Sequence, residues 1–368
     1  MDESFHVTFR GVRGSIGTPV SLVQMEEKLT KALERAQPED LKDASTRKSF
    51  IDSLPFEIRG CFGGNTPCVQ MQVGGENLIF DGGTGIRQVG QDLLKGDFGK
   101  GQGKAHIFFS HTHWDHIQGL PFFTPFYIKG NHFTLVSPHD NLKKRLEVQQ
   151  SPEYFPVPFD AYSATLDIPD VHGKSEISVG DIKVKWQEMC HPGKSFSYRI
   201  EYAGKSVVYA TDAEYKNLRA EKLQPYVDFF RDADLLIFDS MFTFGDGLER
   251  RDWGHSSTFI GVDLAVDANV KEIAFFHHDP RYDDFKLVDI FSQTQKYLKS
   301  IAPESNLKMF LSYEDLTVDI LQVESPIQDK AENVPYPIKL NGKGQNLSQI
   351  PGKILVSKNG LLNQDDFL

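Results

Sequence analysis

Cysteine is scarce. Cys61, Cys68 and Cys190 are the only three in 368 residues. Their odd number and the Cys-x6-Cys spacing of the first pair fit neither a disulfide framework, a zinc finger nor a thiol-redox motif. A reducing compartment is therefore expected, and the cytoplasm is the simplest one. Long apolar runs are also lacking. The longest, such as Ile107–Phe109 and Leu235–Phe238, fall far short of the roughly 20 residues a bilayer span needs. The polar, acidic start Met-Asp-Glu-Ser-Phe-His lacks the basic and apolar regions of an export signal, so no membrane association is expected. Basic clusters are missing too. Forty Lys and Arg stand against 51 Asp and Glu, a formal net charge of −11. Gripping long nucleic acid by counterion release needs a basic face, so a small substrate is expected instead.

What is present is a mixed pattern of short strands and helices. His6–Arg10 alternates and runs into the Gly-rich stretch Gly11–Pro19. Between about Ser21 and Leu54, Leu22, Met25, Leu29, Leu33 and Ala36 recur at helical steps. This spacing predicts one amphipathic helix, with a second near Thr46–Leu54. Cys68–Val73 and Asn77–Phe80 flank Gly74-Gly75, a hairpin signal. Strands are then expected at Lys104–Ser110, His132–Ser137, Ile177–Val179, Ile182–Glu188, Ser197–Tyr202, Ser206–Ala210, Leu235–Asp239 and Glu272–Phe276. Helices are expected after Asp81 and at Lys216–Phe230, Ser257–Ala268 and Tyr282–Lys299, with a last strand region at Met309–Leu311 and Leu316–Leu321. The order implies stacked sheets with helices outside, an α/β (α+β) architecture. The reading is one catalytic domain over 1–321 with a helical insert at about 21–58. A Pro-, Gly- and Asn-interrupted tail follows over 322–368.

The chemistry concentrates at Ser110-His111-Thr-His113-Trp-Asp115-His116, directly after an apolar strand. Three imidazoles and a carboxylate in six positions form a donor set that zinc-type ions favour. One cluster of four can hold one ion, and a second ion needs more donors. His191 sits in the turn Cys190-His191-Pro192-Gly193, Asp212 ends the strand Val207–Ala210, and His277-His278 ends Ile273–Phe276. Each is delivered to a sheet edge by a strand, and together with the cluster they read as ligands.

This ordered set resembles the motifs of the metallo-β-lactamase-fold hydrolases over about Val7–Leu321. Asp81, in Phe80-Asp81-Gly-Gly-Thr, resembles the family's first motif, an aspartate that supports the site without binding metal. The resemblance implies a four-layer αββα sandwich with two divalent ions at one edge. Zinc suits the histidine-rich donors, and manganese or iron could use the same ones. By transfer, His111, His113 and His191 hold one ion. Asp115, His116 and His277 hold the other, and Asp212 bridges them. His116 argues against the main class of zinc β-lactamases, and His113 against flavodiiron oxygen chemistry.

Trp253-Gly-His255-Ser-Ser-Thr258, followed by His277-His278-Asp-Pro-Arg281-Tyr282, resembles the ribonuclease Z and small-phosphodiesterase branch, with one Ser inserted between His255 and Thr258. That likeness selects His277 over His278 and nominates His255 as an aid to the phosphate oxygens or the leaving group. Gly11–Ser15 and Gly63–Thr66 look like loops of that branch, so Arg13 and Asn65 become candidate substrate contacts. The implied reaction is hydrolysis of a small phosphodiester, a cyclic nucleotide first. Asp115 orients the attacking water, which the two ions acidify. Transfer-RNA 3′-end cleavage and glyoxalase II-like thioester or lactone hydrolysis are the alternatives. The segment Ser151–Asp170 carries four acidic residues and no Lys or Arg, unlike a basic transfer-RNA arm. A homodimer is a candidate assembly.

Overall fold

The computed structural model describes residues 4–323. Its first half runs β1 (Phe5–Gly11), α1 (Leu22–Leu33), α2 (Ala44–Ser53), α3 (Phe56–Arg59), β2 (Cys68–Val73), β3 (Glu76–Phe80), α4 (Ile86–Leu93), β4 (Lys104–Phe108), α5 (Trp114–Ile117), β5 (His132–Val136), α6 (Leu142–Gln149) and β6 (Thr165–Asp167). The second half runs β7 (Glu176–Val179), β8 (Ile182–Met189), β9 (Ser195–Tyr202), β10 (Lys205–Ala210), α7 (Ala220–Phe230), β11 (Leu235–Asp239), α8 (Phe244–Glu249), α9 (Thr258–Asp267), β12 (Glu272–Phe276), α10 (Asp284–Ile301), β13 (Lys308–Leu311) and β14 (Thr317–Asp319).

These strands make two seven-stranded sheets, ordered β14-β1-β2-β3-β4-β5-β6 and β13-β12-β11-β10-β9-β8-β7. In each, one stretch of neighbours is antiparallel and the other parallel. The switch falls at β3 in the first sheet and at β10 in the second. Alternation makes β1 buried on one face and half-buried on the other, whereas β11 and β12 are buried along their whole length. That is the expected burial for parallel strands covered on both sides. Phe5, Phe9, Met71, Phe80 and Phe108 from one sheet meet Tyr198, Tyr209, Ile237 and Phe276 from the other in the central core. Two further cores lie outside the sheets, one under α7, α9 and α10 and one under α4 and α6. Four layers result, α-β-β-α, as the motif resemblance implies.

Most expected elements form, with shifted ends. The last long helix starts at Asp284, because the Asp283 side chain caps it by accepting from Lys286 N. The short elements β6, α6 and α8 are additions. β6 is a three-residue edge strand with little burial, α6 buries only Leu142 and Leu146, and α8 contains Gly245 and Gly247, so none carries a strong periodic signal. Val323 packs into the intersheet core, two residues beyond the expected domain end at 321. The rest of the expected tail, from 324, lies outside the described residues.

The helical insert departs more informatively. A Ser21–Gln24 capping box starts α1, but its apolar stripe faces solvent, with Leu22 73% and Leu33 69% exposed. The residue α1 buries is Lys28, whose ammonium donates to Glu57 O (2.5 Å), Gly60 O (2.9 Å) and Asp284 Oδ2 (2.6 Å). A charged anchor, not the apolar periodicity, docks this helix. Among the described residues no helix is long and apolar enough to cross a membrane.

Candidate metal centre

Every ligand-type residue sits just past the C-terminal end of a strand: Asp81 after β3, His111–His116 after β4, His191 after β8, Asp212 after β10 and His277 after β12. In open α/β sheets that edge, where strand order switches, is where ligands bind. The backbone there leaves the strands sharply. Asp81 (φ 60°), Asp212 (φ 45°) and His277 (φ 62°) all adopt left-handed conformations, which non-glycine residues rarely hold outside sites that over-determine them. Two glycines make room. A Cβ on Gly14 would lie 2.5 Å from the His277 ring, and one on Gly254 (φ +85°) would lie 2.2 Å from His191 Nδ1.

Two donor groups converge. His111, His113 and His191 form one, and Asp115, His116, Asp212 and His277 the other, with the ligand atoms of each within 4.8 Å of one another. Asp212 faces both. Its Oδ2 lies 3.7 Å from His111 Nε2 and 3.8 Å from His191 Nε2. Its Oδ1 lies 3.2 Å from His116 Nε2 and 3.2 Å from His277 Nε2. Asp115 Oδ2 is 3.3 Å from His116 Nε2 and 3.2 Å from His277 Nε2.

The supporting contacts fix which ring nitrogen faces inward. His116 Nδ1 donates to Asp81 Oδ2 (2.8 Å), and Asp81 is held in turn by Ser110 N and Oγ (2.7 Å each) and Tyr209 OH (2.8 Å). His191 Nδ1 donates to Gly254 O (2.8 Å). Such outer contacts orient metal-binding imidazoles. The Ser15 amide reaches Asp115 Oδ2 at 2.7 Å. His277 belongs to the cluster, while its neighbour His278 turns away and donates from Nε2 to Ser312 O (3.0 Å).

The donor set fits divalent ions. His111 Nε2 is buried without a hydrogen-bond partner, and buried polar atoms are otherwise nearly always paired. Burial pushes His111, His113 and His191 below the ordinary histidine value, toward the neutral form a metal needs. Burial alone would raise the two aspartates. The neighbouring imidazoles, His116 first, nonetheless hold Asp115 and Asp212 well below the usual carboxylate range.

His255 lies beside this set. Its Nδ1 is 3.0 Å from Asp239 Oδ2 and 3.9 Å from Asp212 Oδ2, and its ring stacks on His277 at 5.0 Å. Burial opposes its charged form, but Asp239, Asp212 and Asp115 raise it to about 9. Asp239 was not singled out from the sequence. It ends an apolar strand, β11, just as Asp212 follows one, and that shared signal could have found it. Its carboxylate is held by Met241 N (3.1 Å) and Ala213 N (3.2 Å).

Arg13 and Asn65 do not reach the cleft. Arg13 is buried and spends its guanidinium on Gly63 O (2.8 Å), Tyr282 O (2.7 Å) and Asp279 O (3.2 Å), with Asp284 Oδ1 at 3.5 Å. Asn65 donates from N and Nδ2 to the Glu314 carboxylate at 2.6 and 2.8 Å. Both brace loops, so the expectation that they contact substrate is corrected. An open cleft of about 400 Å³ is lined instead by Ser15, Thr112, His113, Trp114, Asp115, Asp212 and His255.

Comparison with known proteins agrees with this geometry. Residues 76–278 match the beta-lactamase superfamily domain model. A ribonuclease Z of Picrophilus torridus is 25% identical over 285 residues, covering 64% of this chain and 85% of that protein. A ribonuclease Z of Sulfurisphaera tokodaii is 47% identical over 58 residues, which are 16% of this chain and only 19% of that protein. The metallo-beta-lactamase fold protein YhfI from Bacillus subtilis superposes with a TM-score of 0.57 at 16% identity, covering 86% of this chain and all of that one. The chain belongs to the beta-lactamase superfamily of metal-dependent hydrolases and has its metallo-β-lactamase fold.

Proposed function

We propose that this protein hydrolyses a small phosphodiester, with cyclic nucleotides as the leading class. The observation that carries the reading is His255, held against Asp239 in the same cleft as the ligand set. His111, His113 and His191 would hold one ion, Asp115, His116 and His277 a second, and Asp212 both. Zinc suits these donors best. Divalent ions held there acidify water and neutralise charge developing on phosphate oxygens.

The chain's own groups do the rest. Asp115, fixed at Oδ2 by the Ser15 amide, orients the attacking water and takes its proton. His255 engages Asp239 through Nδ1, which leaves Nε2 for the substrate. The Asp239 carboxylate at Nδ1 favours its protonated form, ready to donate to the leaving alkoxide. The acidic chain, at net charge −11, favours a small substrate over long RNA. Its three free cysteines agree with work in the cytoplasm.

A second reading is RNA 3′-end processing, favoured by the names of the ribonuclease Z relatives. A metal-replete assay separates them, comparing bis(p-nitrophenyl) phosphate, 2′,3′- and 3′,5′-cyclic nucleotides, precursor transfer RNA and S-lactoylglutathione. Turnover of the cyclic nucleotides without transfer-RNA cleavage is expected. Cleavage of transfer RNA at comparable efficiency would select the second reading, and thioester turnover alone would refute both.

A further inference from the structure

Trp114 is the most exposed tryptophan of the chain, at 81%. It stands between two ligand residues, His113 and Asp115, and lines the cleft with them. Leaving an indole in water forgoes a large hydrophobic gain, and the other tryptophans are better occupied. Trp186 is buried and donates to Lys174 O (3.1 Å). Trp253 lies near the Phe242 ring and the Arg250 guanidinium. Trp114 cannot fold inward, because α5 buries Asp115, His116 and Ile117 and so presents its first residue outward. Among the residues that line the cleft, Trp114 is the one large apolar side chain, set beside polar and charged neighbours.

We propose that Trp114 is a stacking platform for an aromatic base carried on one ester arm of the substrate. This rests on the phosphodiesterase reading and adds a specificity residue to it. Stacking needs only a π-face, so the platform accepts every base and favours the larger purine rings. An aliphatic diester gains nothing from it.

The test compares wild type, Trp114→Ala and Trp114→Phe, each checked for metal content. The readout is the ratio of kcat/KM for a cyclic adenosine phosphate to that for glycerophosphocholine. Stacking is worth about 1–3 kcal/mol per base, so Trp114→Ala should lower this ratio roughly 5- to 140-fold. Trp114→Phe should restore much of it. A ratio unchanged within twofold would overturn the proposal, because a merely structural role lowers both substrates together. A second measurement stands apart from turnover: adenosine monophosphate should quench the tryptophan fluorescence of wild type, and Trp114→Phe should abolish that quenching. If wild type hydrolyses no phosphodiester but the quenching behaves so, the platform stands and the reaction assignment falls. Absence of Trp114-dependent quenching would refute the platform.

Discussion

Two buried charged clusters lie on either side of the loop Arg13-Gly14-Ser15, and they are built on opposite terms. In the first, Asp284 receives the Lys28 ammonium at 2.6 Å, the Arg13 guanidinium at 3.5 Å and the Phe62 amide at 3.3 Å. The remaining donors of the two cations go to backbone carbonyls. In the second, histidines surround Asp115 and Asp212, and the inward nitrogen of His111 has no hydrogen-bond partner. Burying ions is costly unless each is paired. The first cluster is complete within the protein and ties the helical insert to α10. The second is complete only with a guest. Unfinished pairing, more than burial or charge, separates the two clusters.

The sharpest way to break this contrast is to remove the shared carboxylate. Asp212→Ala is expected to lose both ions and take turnover to background, with folding retained by circular dichroism. Metal analysis and the phosphodiester assay check it, and full activity without Asp212 would sink the assignment. Asp284→Ala should do the reverse. It strands two buried cations and is expected to cost about 3–5 kcal/mol of stability in urea unfolding, while the folded fraction keeps its full metal content. Loss of metal in step with stability would show that the clusters are one unit.

Asp81→Asn sharpens the comparison at an outer contact. Asn can turn an NH₂ toward His116 Nδ1 and spoil the tautomer, so metal affinity or activity should fall about 10- to 100-fold. Titration with zinc in a competing chelator would measure it. The smallest effect concerns His139, a lone histidine whose Nε2 is also buried without a partner. Burial, with positive Arg145 nearby, lowers its pKa to about 4, against 6.5 ordinarily. The unfolded chain therefore binds the extra proton first, and stability is lost as pH falls from about 6.5 to 4. His139→Phe, placed against Phe196, should flatten this acid limb in unfolding curves and leave metal content unchanged. A fall in metal content would mean that one orphan nitrogen suffices to mark a site.

The donor cluster was legible because most of its strands announce themselves by apolar runs that end at a His or Asp. Boundaries and partners were less so. Arg13 reads as a phosphate contact in a Gly-rich loop, yet its fate is decided by the carbonyls of Tyr282 and Asp279, more than 260 positions away. The Ser15 amide carries no sequence signal, since every residue has one. Lys28 sits in an ordinary helical pattern, and only the fold reveals that it, and not Leu22 or Leu33, is the buried face.

The central claim, that the unfinished cluster is a two-ion site, is tested most directly by metal stoichiometry. Protein purified without chelator and loaded with zinc should carry two ions per chain by mass spectrometry, falling below one in Asp212→Ala. A wild-type chain that binds no zinc, or binds two ions equally well without Asp212, would contradict the account.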